Sequence, residues 1–236
     1  MARQLAVALT GAPGPAHRVT LSEVVAQASA LAVSGTRTLL GISGAPGAGK
    51  STVVEAILAE LGPRAAWVPM DGFHLDNGVL EGLGRRGRKG AWDTFDVEGY
   101  VALLQRVRDL PAADAVVYAP ALDRSLETAV AAAIPVPAEA SLVLTEGNYL
   151  LHDAGGWEQV RPLLDQVWFL EVPEQERVRR LLGRRTQDGE ALEQARAWVH
   201  DVNQVNAGLV LADAHRADLR LRLTTRGDDS AGGSGR

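Results

Sequence analysis

Four short apolar runs punctuate the chain: Thr38-Leu39-Leu40-Gly41-Ile42-Ser43, Ala66-Trp67-Val68-Pro69-Met70, Ser141-Leu142-Val143-Leu144-Thr145 and Val167-Trp168-Phe169-Leu170-Glu171-Val172. Unbroken apolar runs of this length suit strands buried on both faces of a parallel sheet. Pro69 cannot donate to a ladder, which weakens the second run as an interior strand. Leu219-Arg220-Leu221-Arg222-Leu223 is a fifth candidate. Between the runs the apolar period changes. Val53, Val54, Ile57, Leu58 and Leu61 recur at helical spacing, as do Val97, Val101, Leu104, Val107 and Leu110, and again Val178, Leu181 and Leu182. Residues 21–33 read as one more helix, with Ser22 near its start.

Strands separated by amphipathic helices predict an α/β fold with a mostly parallel, doubly wound sheet covered on both faces. A length of 236 residues suits one such domain with insertions. Residues 1–34 look like a leader, opened by the loop Gly11-Ala12-Pro13-Gly14-Pro15 and closed by the helix. Residues 35–225 would form the domain, and the polar, glycine-rich stretch 226–236 a frayed tail.

Composition removes several function classes. A formal net charge of -5 gives no broad electrostatic footprint for nucleic acid. The absence of cysteine excludes disulfides, thiolate zinc sites and cysteine nucleophiles, and the five histidines show no HExxH pair. No segment reaches the 18 or so apolar residues of a membrane span and the start lacks a signal-peptide core, so a cytoplasmic protein without a membrane partner is expected. A homodimer is compatible with base rates for soluble proteins.

The strongest chemical signal is Gly44-Ala45-Pro46-Gly47-Ala48-Gly49-Lys50-Ser51-Thr52, a full GxxxxGK[ST] match between a strand and a helix. Its glycines let backbone N–H groups turn toward an anion, and the positive end of the following helix points the same way. Lys50 would bridge the β- and γ-oxygens of ATP, and the Ser51 hydroxyl would ligate Mg2+.

Two carboxylates follow later strands. Asp71, in Met70-Asp71-Gly72-Phe73-His74, falls beyond a strand's carboxyl end, where doubly wound sheets bind ligands. It suits a general base that accepts the proton of an attacking hydroxyl, or an Asx cap on a turn. Gly72 would permit a tight turn there. His74 could contact the acceptor or a local backbone group. Glu146 ends the run Leu142–Thr145, the position of a carboxylate for the magnesium shell or of a cap on the next segment.

The cations gather in two places. Gly84-Arg85-Arg86-Gly87-Arg88-Lys89-Gly90, followed by Ala91-Trp92-Asp93, suits a loop folded over an anionic acceptor or a solvated surface loop. Arg177, Arg179, Arg180, Arg184 and Arg185 crowd one helix, on or beside its open face if it packs through Val178, Leu181 and Leu182. A lid arginine there would stabilise charge on the transferring phosphoryl and help exclude water. Arg124 reads as an acceptor contact or a surface ion pair. Asn203 could end or kink its helix, and Asn206 could reach the acceptor or satisfy a backbone group.

Together the Gly44–Thr52 loop, Met70–Asn77, Arg88–Asp96 and Thr145–Tyr149 resemble, in order, the phosphoribulokinase/uridine kinase/bacterial pantothenate kinase family of P-loop kinases. The likeness is strongest to a branch described as nucleoside/nucleotide kinase-like or fructose-transport-associated kinase-like, and covers residues 20–225. It implies a three-layer P-loop NTPase fold with an acceptor insertion near 75–135 and a helical lid near 174–190. It also implies ATP and Mg2+ as cofactors, Asp71 as activator of the acceptor hydroxyl, Lys50 and Ser51 at the phosphates and metal, and Glu146 as the second strand-end carboxylate. Arg184 or Arg185 would serve in the lid, and Arg88, Lys89 and Asp93 would line the acceptor side. Asp-Gly-Phe-His stands where uridine kinases have Asp-Ser-Phe-Tyr, and Pro120-Ala121-Leu122-Asp123-Arg124 lacks the tyrosine of the pantothenate kinase pattern. Those departures leave the acceptor open among a nucleoside, a sugar and a pantothenate-like alcohol. The expected function is ATP-dependent phosphoryl transfer to a small-molecule hydroxyl. The alternatives are an NTP-hydrolysing switch and a non-catalytic nucleotide-binding regulator.

Overall fold

The computed structural model describes residues 15–33, 35–110 and 115–224. The expected loop at 11–14 and the tail at 226–236 lie outside the described residues. The elements run β1 (His17–Val19), α1 (Leu21–Ser29), β2 (Thr38–Ser43), α2 (Lys50–Leu61), β3 (Ala65–Pro69), α3 (Asn77–Gly82), α4 (Val97–Arg108), β4 (Val116–Asp123), β5 (Thr128–Pro137), β6 (Leu142–Gly147), β7 (Gln166–Leu170), α5 (Glu174–Gln187), α6 (Leu192–Trp198), α7 (Gln204–Ala212) and β8 (Leu219–Leu223). Six strands pair in the order β1-β8-β7-β2-β6-β3, parallel throughout.

Alternation along the strands splits the core into two layers, because neighbouring residues of a strand face opposite ways. Leu40, Ile42, Leu142, Leu144, Trp168 and Leu170 pack with α1 and α2 through Val24, Val53 and Ile57. Leu39, Val143, Val167 and Phe169 face the other way, toward Tyr100 and Leu104 of α4 and Val210 of α7. The three-layer arrangement follows from that division. β3 closes one edge, which accommodates Pro69 at its end.

Three elements differ from the expectation. The N-terminal segment contributes β1, an edge strand on β8, which is too short for a pattern to reveal. α1 starts at Leu21 behind a capping box of Thr20 and Glu23, with Ser22 near its start as expected, but ends at Ser29, short of residue 33. β4 and β5 form a separate antiparallel hairpin that the alanine-rich sequence gives little hint of. Its ladder shifts around Pro120, which has no N–H to donate, and Ala132 opposite bulges at φ +55°. Among the described residues no helix is long and apolar enough to cross a membrane.

Candidate active site

Strand β2 delivers the chain into the glycine loop at the carboxyl edge of the sheet, and α2 leaves from it. Gly47 and Gly49 have φ of +84° and +89°, values that glycine adopts without a Cβ clash. Gly49 is the N-cap of α2 and offers no side chain to its first N–H groups, which leaves that helix end suited to an anion. Ala45, Pro46 and Ala48 are buried beneath the loop, Ser51 is half-buried at the helix start, and Thr52 is exposed.

The ammonium of Lys50 donates to the Asn148 side-chain oxygen at 2.7 Å and to the Gly44 carbonyl at 2.9 Å. Burial holds its pKa below the ordinary value, while the charges of Glu146 and Asp71 oppose that fall. Asn148 carried no role in the sequence reading. Its only sequence signal is its position two residues past the strand-end Glu146.

Asp71 sits in a 3-10 turn, Met70–Phe73, directly after β3. Its carboxylate is 3.3 Å from Arg124 on the hairpin, so Arg124 makes its ion pair with the base candidate across the sheet edge. Gly72 lies in that turn, but without the positive φ that would call for glycine. A Cβ there would lie 2.3 Å from the carbonyl oxygen of Pro120, and only glycine lets the hairpin approach so closely. Glu146 stands in register with Ile42 of β2 and Pro69 of β3, between the two chemical segments. Burial first, then the Asp71 charge, pushes its pKa up to about 7, against Lys50, Arg124 and Arg184. The structure thus brings Lys50, Asp71, Glu146, Arg124 and Arg184 within one another's fields.

Other expected contacts are turned elsewhere. Arg185 makes an ion pair with Glu190 at 2.6 Å and lies 4.8 Å above the Trp198 ring, because adjacent helical residues point about 100° apart. Of the two arginines expected in a lid, Arg184 is the one whose charge reaches the cluster. Arg88 grips Asp93, with a bond of 2.6 Å from its second nitrogen, and Arg85 reaches the same carboxylate at 3.4 Å. Lys89 donates to the Glu127 carbonyl and to Asn77, each at 2.6 Å, and Arg86 pairs with Glu127 at 2.7 Å. The basic loop has its side chains taken up by Asp93, by Asn77 and by Glu127 at the hairpin tip. It cements these two segments together and does not stand open to an anion.

His74 braces the turn through its ring nitrogen Nδ1, 2.8 Å from the Asp71 carbonyl, and stacks on Phe95 at 4.1 Å. Burial lowers its pKa, with Asp71 opposing, so it is neutral near pH 7. Asn206 is buried and donates to the Gly90 carbonyl at 3.1 Å, beside the Tyr149 hydroxyl at 2.7 Å. It ties α7 to the 85–96 segment and does not face the charge cluster directly. Asn203 ends a π-helical turn, Val199–Asn203. Arg177, expected on the open side of α5, is buried instead and donates to the Pro46 carbonyl. Its signal in the sequence is its place four residues before Leu181, on the same stripe. A cavity of about 380 Å³ opens beside the 85–98 segment, lined by Arg85, Trp92, Asp93, Asp96 and Glu98 among others.

Comparison with known proteins fits this geometry. The family model of the methylmalonyl-CoA mutase-associated GTPase MeaB matches residues 2–72, which span the phosphate loop but under a third of the chain. The uncharacterized protein YggC of Escherichia coli is 32% identical over 196 residues, covering 81% of this chain and 80% of its own. The ATP-dependent kinase-like protein notR' of Aspergillus versicolor is 32% identical over 125 residues, 51% of this chain and 73% of its own. A solved structure from Silicibacter sp. TM1040, described as a "putative fructose transport system kinase", has 37% identity and a TM-score of 0.75, covering 86% of this chain and 98% of that one. The chain belongs to the family of P-loop kinase-like proteins that these relatives represent, with its three-layer α/β fold and ATP-binding loop.

Proposed function

We propose that this member of the P-loop kinase-like family transfers the γ-phosphoryl of ATP to a hydroxyl of a small metabolite, with Asp71 as general base. The observation that carries the reading is the charge cluster at adjacent strand ends, where Asp71, Lys50 and Glu146 lie close enough to act on one another's charge.

The residues fit MgATP. The glycine cradle and the side-chain-free cap of α2 suit the phosphates, Lys50 supplies a cation beside them, and Ser51 and Glu146 offer hard oxygen donors for Mg2+. When bound, Mg2+ would neutralise charge on the phosphate oxygens. Asp71 takes the proton of the acceptor hydroxyl as that oxygen bonds to the γ-phosphorus and ADP departs. Arg124, 3.3 Å from Asp71, orients the carboxylate, and Arg184 adds positive charge on the lid side. The acceptor hydroxyl would approach Asp71 on the side where Arg124 and the hairpin stand.

Incubation with MgATP and a panel of nucleosides, ketoses, aldoses and pantothenate, read by mass spectrometry, tests this. The expected result is one acceptor gaining a phosphoryl group in wild type and losing that gain in Asp71→Asn. Transfer undiminished in D71N would remove Asp71 as base. A hydrolysing switch is the second reading, favoured by the GTPase-family match over the phosphate loop. It predicts phosphate release that no acceptor alters.

A further inference from the structure

Ala45-Pro46-Gly47-Ala48, inside the phosphate loop, forms a tight turn. The Ala48 N–H donates to the Ala45 carbonyl at 3.0 Å and Gly47 has φ of +84°, which with proline in the second place makes a type II turn. Type I and type II turns differ by rotation of the central peptide, here Pro46–Gly47, through about 180°. That rotation decides where the Gly47 N–H points, since C=O and N–H of a trans peptide face opposite ways.

The Pro46 carbonyl has a fixed partner. One terminal nitrogen of Arg177 donates to it at 3.2 Å, and the other donates to the Gln204 side-chain oxygen at 3.1 Å. Gln204 in turn donates to Glu174 at 2.5 Å. Arg177 is 2% exposed, and its Nε has no acceptor. Among the described residues it makes no direct ion pair, and Glu174 opposes the lowering of its pKa by burial only through its field. The backbones also touch: a Cβ on Gly47 would lie 2.8 Å from the Arg177 carbonyl oxygen. A buried guanidinium without a carboxylate partner is unfavourable for the fold. Fold stability alone does not call for arginine at this position.

We propose that Arg177 is a positioning residue for the phosphate loop. It holds the Pro46 carbonyl toward α5, keeps the Gly47 N–H turned to the anion side, and links that orientation through Gln204 to the start of α7. The inference rests on the reading of this loop as the nucleotide cradle. It concerns both ATP and ADP, because the cradle's backbone amides serve phosphates that the two share.

Calorimetric titration with MgATP and with MgADP tests it on the whole chain, using Arg177→Met, Arg177→Lys and Gln204→Leu. R177M removes the donors and keeps much of the volume. The expected rise in Kd is about tenfold for both nucleotides in R177M, with a smaller rise in R177K and Q204L. Glycine-selective nitrogen-15 spectra give a second readout, in which the Gly47 amide moves or splits in R177M. Wild-type affinity and an unmoved Gly47 signal in folded R177M overturn the proposal, whatever its Tm. If R177M does not fold, R177K and Q204L decide by the same criterion. A wild-type chain that binds neither nucleotide overturns the cradle reading itself, a different result from tight binding shared by wild type and variants.

Discussion

On the nucleotide side, residues 43–51 are contiguous in the chain, and their work is done by backbone whose directions glycines set locally. On the acceptor side, Arg85, Arg86, Arg88 and Lys89 are answered by Asp93, by Asn77 and by Glu127 on a hairpin about forty residues away. One region spends its charged groups on what it will bind, and the other spends them on holding two segments together. A loop rich in arginine is therefore no measure of anion affinity until the acids near it are counted. The positive charge that reaches the base candidate comes instead from Arg124, paired with Asp71 from the hairpin, and from Arg184 on α5, whose charge Asp71 feels.

Breaking the nucleotide side should cost most. Lys50→Met is expected to lower transfer about 1,000-fold by removing charge stabilisation at the phosphoryl group, measured as turnover at saturating acceptor. A comparable fall in Arg88→Met would erase the contrast between the regions. The next effect is on stability and depends on pH. With its pKa raised from 4.5 to about 7, Glu146 holds more proton folded than unfolded between those values, so stability falls as pH rises through that window. Glu146→Gln should then raise the stability of the nucleotide-free protein on the order of 2–3 kcal/mol at pH 8 and leave it nearly unchanged at pH 4. Denaturant melts at the two pH values check the difference.

Smaller effects sharpen the acceptor side. Arg124→Leu should reduce transfer about tenfold with a smaller change in ATP affinity, since the arginine pairs with Asp71 and, among the described residues, makes no hydrogen bond to the phosphate loop. Equal losses in ATP binding and transfer would place Arg124 on the nucleotide instead. Glu127→Ala breaks an exposed pair with Arg86 and should shift stability by less than about 1 kcal/mol. Its thermal melt would mark the lower end of the series.

The two regions were also unequally legible. The parallel strands and α2 could be read because period and apolar run are local properties, and the phosphate loop because its chemistry is written in consecutive residues. The hairpin could not, since Thr128–Pro137 carries no charged residue to mark its faces and its ladder with Val116–Asp123 shifts at Pro120, whose carbonyl abuts Gly72 of another element. Asn148 and Arg177 were hidden for a related reason. Each acts on the loop from more than 90 residues away, across contacts that no spacing in the sequence encodes. Asp71 falls between these cases: its strand-end place is local and visible in the sequence, while its pairing with Arg124, 53 residues on, is made only by the fold.

The fate of the γ-phosphoryl group tests the central claim most directly. With the best acceptor of the panel present, simultaneous measurement of phosphorylated product and inorganic phosphate should show nearly all consumed ATP appearing as product, and little consumption once the acceptor is withdrawn. Phosphate released at one rate with and without every acceptor would contradict it.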